Sequence, residues 1–175
     1  MTDPVWGAIA TKRAIRAFED RPLEPDRLER ILRAGRRSGS SKNQQRWDFI
    51  VCRDRGHLHA LAAVGPWAGH LAGAAAGIAL VTPDPRGPEA PLSLLFDLGQ
   101  VAQNMMLVAW ELGIGSVPAT VYEHELARQL LGYPADHHCE YLLSFGYPAD
   151  PLDLSRPPSA RGRLPLDEMV HEERW

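Results

Sequence analysis

The chain has 175 residues, 45% of them apolar and 23% charged, with a net charge of −3. That length buries a core and fits one domain over 1–175, and the composition excludes a disordered chain. The net acidity excludes a nucleic-acid surface or a polybasic membrane patch, and two cysteines without a CxxC pair, with no signal-like opening, predict a soluble cytoplasmic protein.

Asp3-Pro4 has the form of an N-cap followed by proline at the first helical position, which predicts a short helix over 4–12. Arg13 and Arg16 then fall just beyond its last turn. A second helix starts at Pro25-Asp26, with Leu28, Ile31 and Leu32 on one face. Ser38-Gly39-Ser40-Ser41 reads as a loop, 47–51 as a buried strand, and Asp54 as the start of a helix carrying Leu58, Leu61 and Ala62. A strand over 77–82 precedes a Pro/Gly-rich connection at 83–91.

Residues 92–112 form the most apolar helix, with Leu94, Leu95, Phe96, Leu98, Val101, Met105, Met106, Leu107 and Trp110 spread almost all round it. A helix apolar on every side needs cover on every side, which predicts burial against a second subunit. Gly113-Ile114-Gly115 ends it. A strand over 116–120, a helix over 123–131 and a strand over 141–145 complete the pattern. The remainder, 148–175, is rich in proline and charge and lacks a helical period. Met169, Val170 and Trp175 give it apolar anchors, so an arm wrapped around a partner subunit is expected.

Three clusters carry possible chemistry. Lys12, Arg13 and Arg16 repel one another unless an anion sits between them; a phosphate monoester satisfies them through charge-assisted hydrogen bonds of about 1.5–3 kcal/mol each. Taken alone, the cluster reads equally as a solvated basic turn complementing the helix C-terminus. Asn43 and Gln45, two residues apart before Trp47, point the same way if the backbone there is extended. Their amides then suit a polyol or the mixed edge of a heterocycle. The plainer alternative has Asn43 capping a turn and Trp47 in the core. Arg161 and Arg163 flank Gly162 and can turn towards one anion, or belong to a charged tail.

Other signals are rejected. His57-x-His59 lacks a third ligand and adjacent His137-His138 point opposite ways in a strand, so no metal site is expected. Gly113-x-Gly115 does not extend to a dinucleotide fingerprint, there is no P-loop, and Ser144-Phe145-Gly146 is no nucleophile elbow.

In order along the chain, Arg13-Ala14-Ile15-Arg16-Ala17-Phe18, Ser41-Lys42-Asn43-Gln44-Gln45-Arg46-Trp47, Gln103-Asn104, Gly113-Ile114-Gly115-Ser116-Val117-Pro118 and Arg161-Gly162-Arg163-Leu164-Pro165 resemble the motifs of the nitroreductase family. That resemblance implies an α+β fold with a central, mostly antiparallel sheet flanked by helices. It also implies a homodimer that exchanges C-terminal arms and holds two FMN molecules at its interface. It places Lys12, Arg13, Ala14, Arg16, Arg161 and Arg163 at the phosphate, ribityl chain and pyrimidine edge. Ser41, Asn43 and Gln45 then reach the isoalloxazine, partly across the dimer. Pro118, Ala119, Thr120 and Val121 pass over the flavin face and offer an N–H towards N5.

The implied activity passes a hydride from NAD(P)H through flavin N5 to a small acceptor such as a nitroaromatic or quinone. No dedicated acid–base residue is implied, and Arg16 is the cation placed to stabilise reduced flavin. The chain departs from the motifs at Ala14, where a serine is usual, at Arg46, where proline is usual, and around Thr120. Those departures leave two alternatives open. One is a specialised flavin enzyme that dehalogenates or breaks down flavin; the other is an FMN-binding dimer without turnover.

Overall fold

A computed structural model describes residues 4–88, 90–157 and 162–175. Its centre is a four-stranded antiparallel sheet in the order β1-β2-β4-β3, built from β1 (Asp48–Cys52), β2 (Ala76–Pro83), β3 (Gly115–Thr120) and β4 (His137–Gly146). Five α-helices accompany it: α1 (Pro4–Thr11), α2 (Pro25–Arg36), α3 (Arg55–Leu61), α4 (Ser93–Glu111) and α5 (His124–Leu131). The α+β class is as expected. The proposed cap at Asp3 lies outside the described residues.

Alternation along the inner strands divides the interior in two. Ile78, Leu80, Leu143 and Phe145 face α2 and α4, meeting Ile31, Leu98, Val101 and Met105. Ala79, Val81, Cys139 and Leu142 face α3, α5 and the 3-10 turn Gly69–Gly73, meeting Leu58, Leu61, Leu71 and Ala127. A sheet covered on both faces explains why β2 is buried along nearly its whole length. By contrast β1, expected to be buried, is an edge strand with Asp48 and Val51 exposed.

The longest correction concerns β4. Its expected range, 141–145, lacks the polar start His137-His138-Cys139-Glu140, which pairs with Pro83, Thr82 and Val81. The register passes from Leu80↔Tyr141 to Val81↔Cys139, leaving Glu140 as the extra residue of a β-bulge. Histidine and glutamate carry little strand preference, so tertiary pairing decided this extension.

Where α4 stops is fixed by chain chemistry. Gly113 adopts φ +73°, its N–H donates to Trp110 O, and Ile114 N–H donates to Ala109 O at 2.8 Å. These are the paired bonds of a Schellman ending, closed by Ile114 and Ala109 in one core cluster. Gly115 then lets another segment approach, since a Cβ there would sit 2.6 Å from the Ile15 Cβ. Ile15 N–H donates to Ser116 O, with Ala14 and Ser116 bridged in parallel. The basic segment after α1 is thereby laid on the open edge of β3.

Candidate functional site

The segment 12–16 carries cations with unmet valence. Lys12 is half-buried, and its Nζ has the Met106 sulfur at 3.6 Å as its hydrogen-bond partner. Burial pushes the Lys12 ammonium below its ordinary pKa. Arg13 turns Nη1 onto Ala10 O and Lys12 O, at 3.1 and 3.0 Å, carbonyls at the end of α1. Its Nε is buried without a partner, as is the nearby Ser116 Oγ. Among the described residues, none of Lys12, Arg13 and Arg16 makes an ion pair. A buried guanidinium donor and a desolvated ammonium without carboxylates are the local chemistry of an anion site.

Pro118 stands at the junction of two cavities. A larger one of about 670 Å³ is lined by α4 residues Leu95, Leu98, Gly99, Ala102 and Met106, by Pro118, Tyr141 and Leu143, and at its far end by polar groups. A second, of about 500 Å³, is lined by Arg16, Pro66, Trp67, Gly69, His70 and Pro118. His70 bonds Ser144 Oγ at 2.7 Å through Nδ1. Desolvation first, then the positive charge of Arg16, holds its pKa below the ordinary value. The imidazole therefore stays neutral beside Arg16 near neutral pH.

Ser116 faces outward to bond Ile15 while Val121 N–H donates inward to Glu140 O. In an antiparallel ladder alternate residues point to opposite edges. Pro118 and Thr120 therefore also direct their backbone outward, and of the two Thr120 alone has an N–H to offer. Ala119 and Val121 are buried, and Thr120 is half-buried.

The amide loop departs from its expected shape. The run 41–47 is not extended: Ser41–Asn43 is a 3-10 turn, and Lys42, Asn43 and Gln45 have φ of 53°, 54° and 49°. Three left-handed non-glycine residues in so short a loop store backbone strain. The two amides still meet, because Gln45 Nε2 donates to Asn43 Oδ1 at 3.1 Å. Buried Asp97 of α4 accepts the Ser41 N–H at 2.9 Å, and Asn104 donates to Ser38 Oγ at 2.8 Å. Asn104, of the Gln103-Asn104 motif, thus braces this loop.

Within one chain the two clusters stay apart. Lys12 meets α4 at Met106 and Ser41 meets it at Asp97, about 13 Å apart along a helix axis. Gln45 lines a groove with α2 and β1 residues such as Leu32 and Phe49, away from Pro118. Arg163 is exposed and makes no side-chain hydrogen bond or ion pair among the described residues; Arg161 lies outside them.

Residue reading missed the polar end of the larger cavity. There His138 Nε2 lies 2.8 Å from Glu140 Oε2, and Arg86 Nη2 lies 3.4 Å from His138 Nδ1. The ring of His124 sits 4.6 Å from that of His138. His124 comes from α5, so no local spacing announced it.

An antiparallel sheet covered on both faces, with a basic segment laid on its free edge, makes an α+β protein, and its likeness to solved structures gives it a nitroreductase-like fold. The chain matches the Nitroreductase family over residues 9–76 and 64–147, and it belongs to that family. A protein of Archaeoglobus fulgidus assigned as an NADH dehydrogenase/NAD(P)H nitroreductase is 35% identical, covering 95% of this chain and 96% of its own. The NADPH-flavin oxidoreductase of Vibrio harveyi is 26% identical over 95% of this chain and 72% of its own. Among solved structures, an FMN-dependent nitroreductase of Clostridium difficile shares the fold with a TM-score of 0.83 at 22% identity, covering 97% of this chain and 99% of that one.

Proposed function

We propose that the chain is an FMN-dependent NAD(P)H oxidoreductase acting as a homodimer. The observation that carries this reading is the unpartnered, buried Nε of Arg13 beside a half-buried, unpaired Lys12, on the edge of β3. The site fits a phosphate-bearing ligand: Lys12, Arg13 and the Ala14 backbone take the phosphate, helped by Arg161 and Arg163. Arg16, in the cleft beside Pro118, takes the pyrimidine edge and stabilises negative charge there. The backbone of Pro118, Ala119, Thr120 and Val121 passes along the ring, with Pro118 and Thr120 as its accessible residues and the outward N–H of Thr120 as the donor towards N5. When bound, FMN supplies the redox chemistry, accepting hydride at N5 from NAD(P)H and passing it to a small acceptor such as a nitroaromatic or quinone. No side chain is assigned a proton-transfer role.

The second subunit enters on two grounds. Ser41 is anchored on α4 about 13 Å from the Lys12 contact, and Gln45 opens into a groove of α2 and β1 rather than towards Pro118. Ser41, Asn43 and Gln45 are therefore assigned to the flavin site of the other subunit. The apolar surface also needs cover. Leu92, Leu95 and Phe96 of the α4 end are exposed, Leu92 fully and Phe96 at 71%, and no described residue of α1 is buried. The described residues of 148–157 and 162–175, with Leu166, Met169, Val170 and Trp175 exposed, belong to the arm proposed to wrap the partner.

Purified protein is expected to be yellow and to bleach when NADH or NADPH is added without oxygen, with colour restored by a quinone or nitroaromatic. A protein that takes up no FMN on reconstitution overturns the reading. A yellow protein that neither nicotinamide bleaches replaces it with the binding dimer that lacks turnover.

A further inference from the structure

We propose that His124, His138 and Glu140 form a binding site for a zinc-type transition-metal ion at the polar end of the larger cavity. The three side chains come from α5 and the bulged start of β4, and one ligand atom from each lies within 4.8 Å of the others. Two imidazoles and one carboxylate are a donor set suited to zinc, cobalt or nickel rather than to magnesium or calcium.

Two independent features of the chain point to a ligand here. The first is an orphan: Nδ1 of His124 is buried without a partner, and no hydrogen bond is made by either nitrogen of that ring among the described residues. A buried nitrogen lone pair left unmet is destabilising, and a metal ion satisfies it. The second is the bulge. Glu140 is the extra residue opposite the Leu80/Val81 step, so Glu140 and its neighbour Tyr141 both line the cavity together with His138. In a regular strand adjacent residues would face opposite sides; bulges re-aim side chains in this way beside functional sites. His138, 4% exposed and paired with Glu140, already holds the two side chains together beside that orphan.

The geometry closes with small movements. Ligand atoms around a tetrahedral zinc lie about 3.3 Å apart, given metal–nitrogen bonds near 2.0–2.1 Å, so side-chain rotations of about 1–1.5 Å bring the three together. Arg86 donates towards His138 Nδ1, which leaves the ring proton on Nε2 and shared with Glu140. Metal binding at Nε2 shifts that proton to Nδ1, and Arg86 turns aside. Its side chain is 67% exposed and held by both carboxylate oxygens of Asp84, at 2.9 and 3.0 Å. The charge of Arg86 is therefore offset without the site. Three protein ligands leave a fourth position, which opens onto the cavity wall of Leu95, Leu98 and Pro118 and takes water or an oxygen of the cavity's occupant.

The test uses the full-length protein, stripped of metal and dialysed against zinc alone, with bound metal measured by elemental analysis. One zinc per chain is expected. His124→Ala, at a half-exposed position, and the isosteric Glu140→Gln are each expected to weaken it about tenfold or more, with flavin content unchanged. Failure to bind stoichiometric zinc overturns the proposal. So does binding of unchanged affinity in both variants, which would put the ion on surface histidines such as His59 or His171. Flavin content and zinc content are separate readouts, so either reading can fail alone.

Discussion

Arg13 spends one terminal nitrogen on the carbonyls that end α1 and leaves Nε buried and unpaired. The residue is thus anchored at its tip with an enclosed, unmet donor along its side, so in the proposed site a phosphate reaches Nε only when the side chain turns. Each charged hydrogen bond to a phosphate is worth about 1.5–3 kcal/mol. Arg13→Ala and Arg163→Ala are expected to raise the FMN dissociation constant by roughly ten- to a hundredfold, with circular dichroism of the apoprotein unchanged. Fluorescence titration reads the first effect; full flavin occupancy in both variants would remove the phosphate assignment. In the proposed phosphate site Ala14 offers no hydroxyl, and its backbone is held by the bridge to Ser116. At this scale the sequence named the basic residues but could not say which atoms were unsatisfied, because that depends on what α1, β3 and α4 bring around them. His124, a lone histidine on a helix, was illegible for the same reason.

Among the elements, helix boundaries were largely legible where local chemistry sets them. Pro25 opens α2, Asp54 caps α3 by accepting the His57 N–H at 2.8 Å, and Gly113 closes α4. The loop 41–47 was not legible, since left-handed Lys42 and Gln45 contradict their own backbone preferences, and the turn is held by Asp97, which accepts the Ser41 N–H, and by Ser40 Oγ, which accepts the Gln45 N–H. The start of α2 is also tied to the end of β4. Tyr147 donates to Glu24 Oε2, and that bond, with backbone and Arg21 contributions, lowers the Glu24 carboxyl to about 2 from an ordinary value of 4.5. A carboxyl depressed in the folded state gives stability that is complete above pH 4.5 and lost as pH falls towards 2. Glu24→Gln is therefore expected to be less stable at pH 7 and to lose less on acidification. Urea midpoints at pH 7 and at a series of acid values check this; parallel acid profiles for the two proteins would exclude the linkage.

For the whole molecule, exposed apolar residues at α1, at the start of α4 and along the C-terminal arm leave a surface that one chain does not cover. Leu166, Met169, Val170 and Trp175 are exposed on segments without regular helix or strand beyond the short turn Leu166–Glu168, and in the proposed dimer the partner covers them. Removing residues after Asp153 is expected to raise the dimer dissociation constant by at least about a hundredfold, since each buried large apolar side chain is worth about 1.5–3 kcal/mol. Sedimentation equilibrium measures it, and a monodisperse dimer of the shortened chain would count against the wrapped arm.

By itself the sequence determined what neighbours along the chain can enforce: the α+β alternation, the helix starts and stops, the greasy central helix, and the order of motifs that marks the family. Hydrophobic period, proline and glycine act within a few residues, so they are readable without coordinates. Tertiary structure alone decided which cations are left unpaired on β3, why Asn43 and Gln45 stand away from them in one chain, and how the bulged start of β4 and the start of α5 bring His138, Glu140 and His124 together. Those outcomes rest on pairing and burial between segments distant in sequence, where desolvation makes an unmet polar atom costly and so gives it meaning.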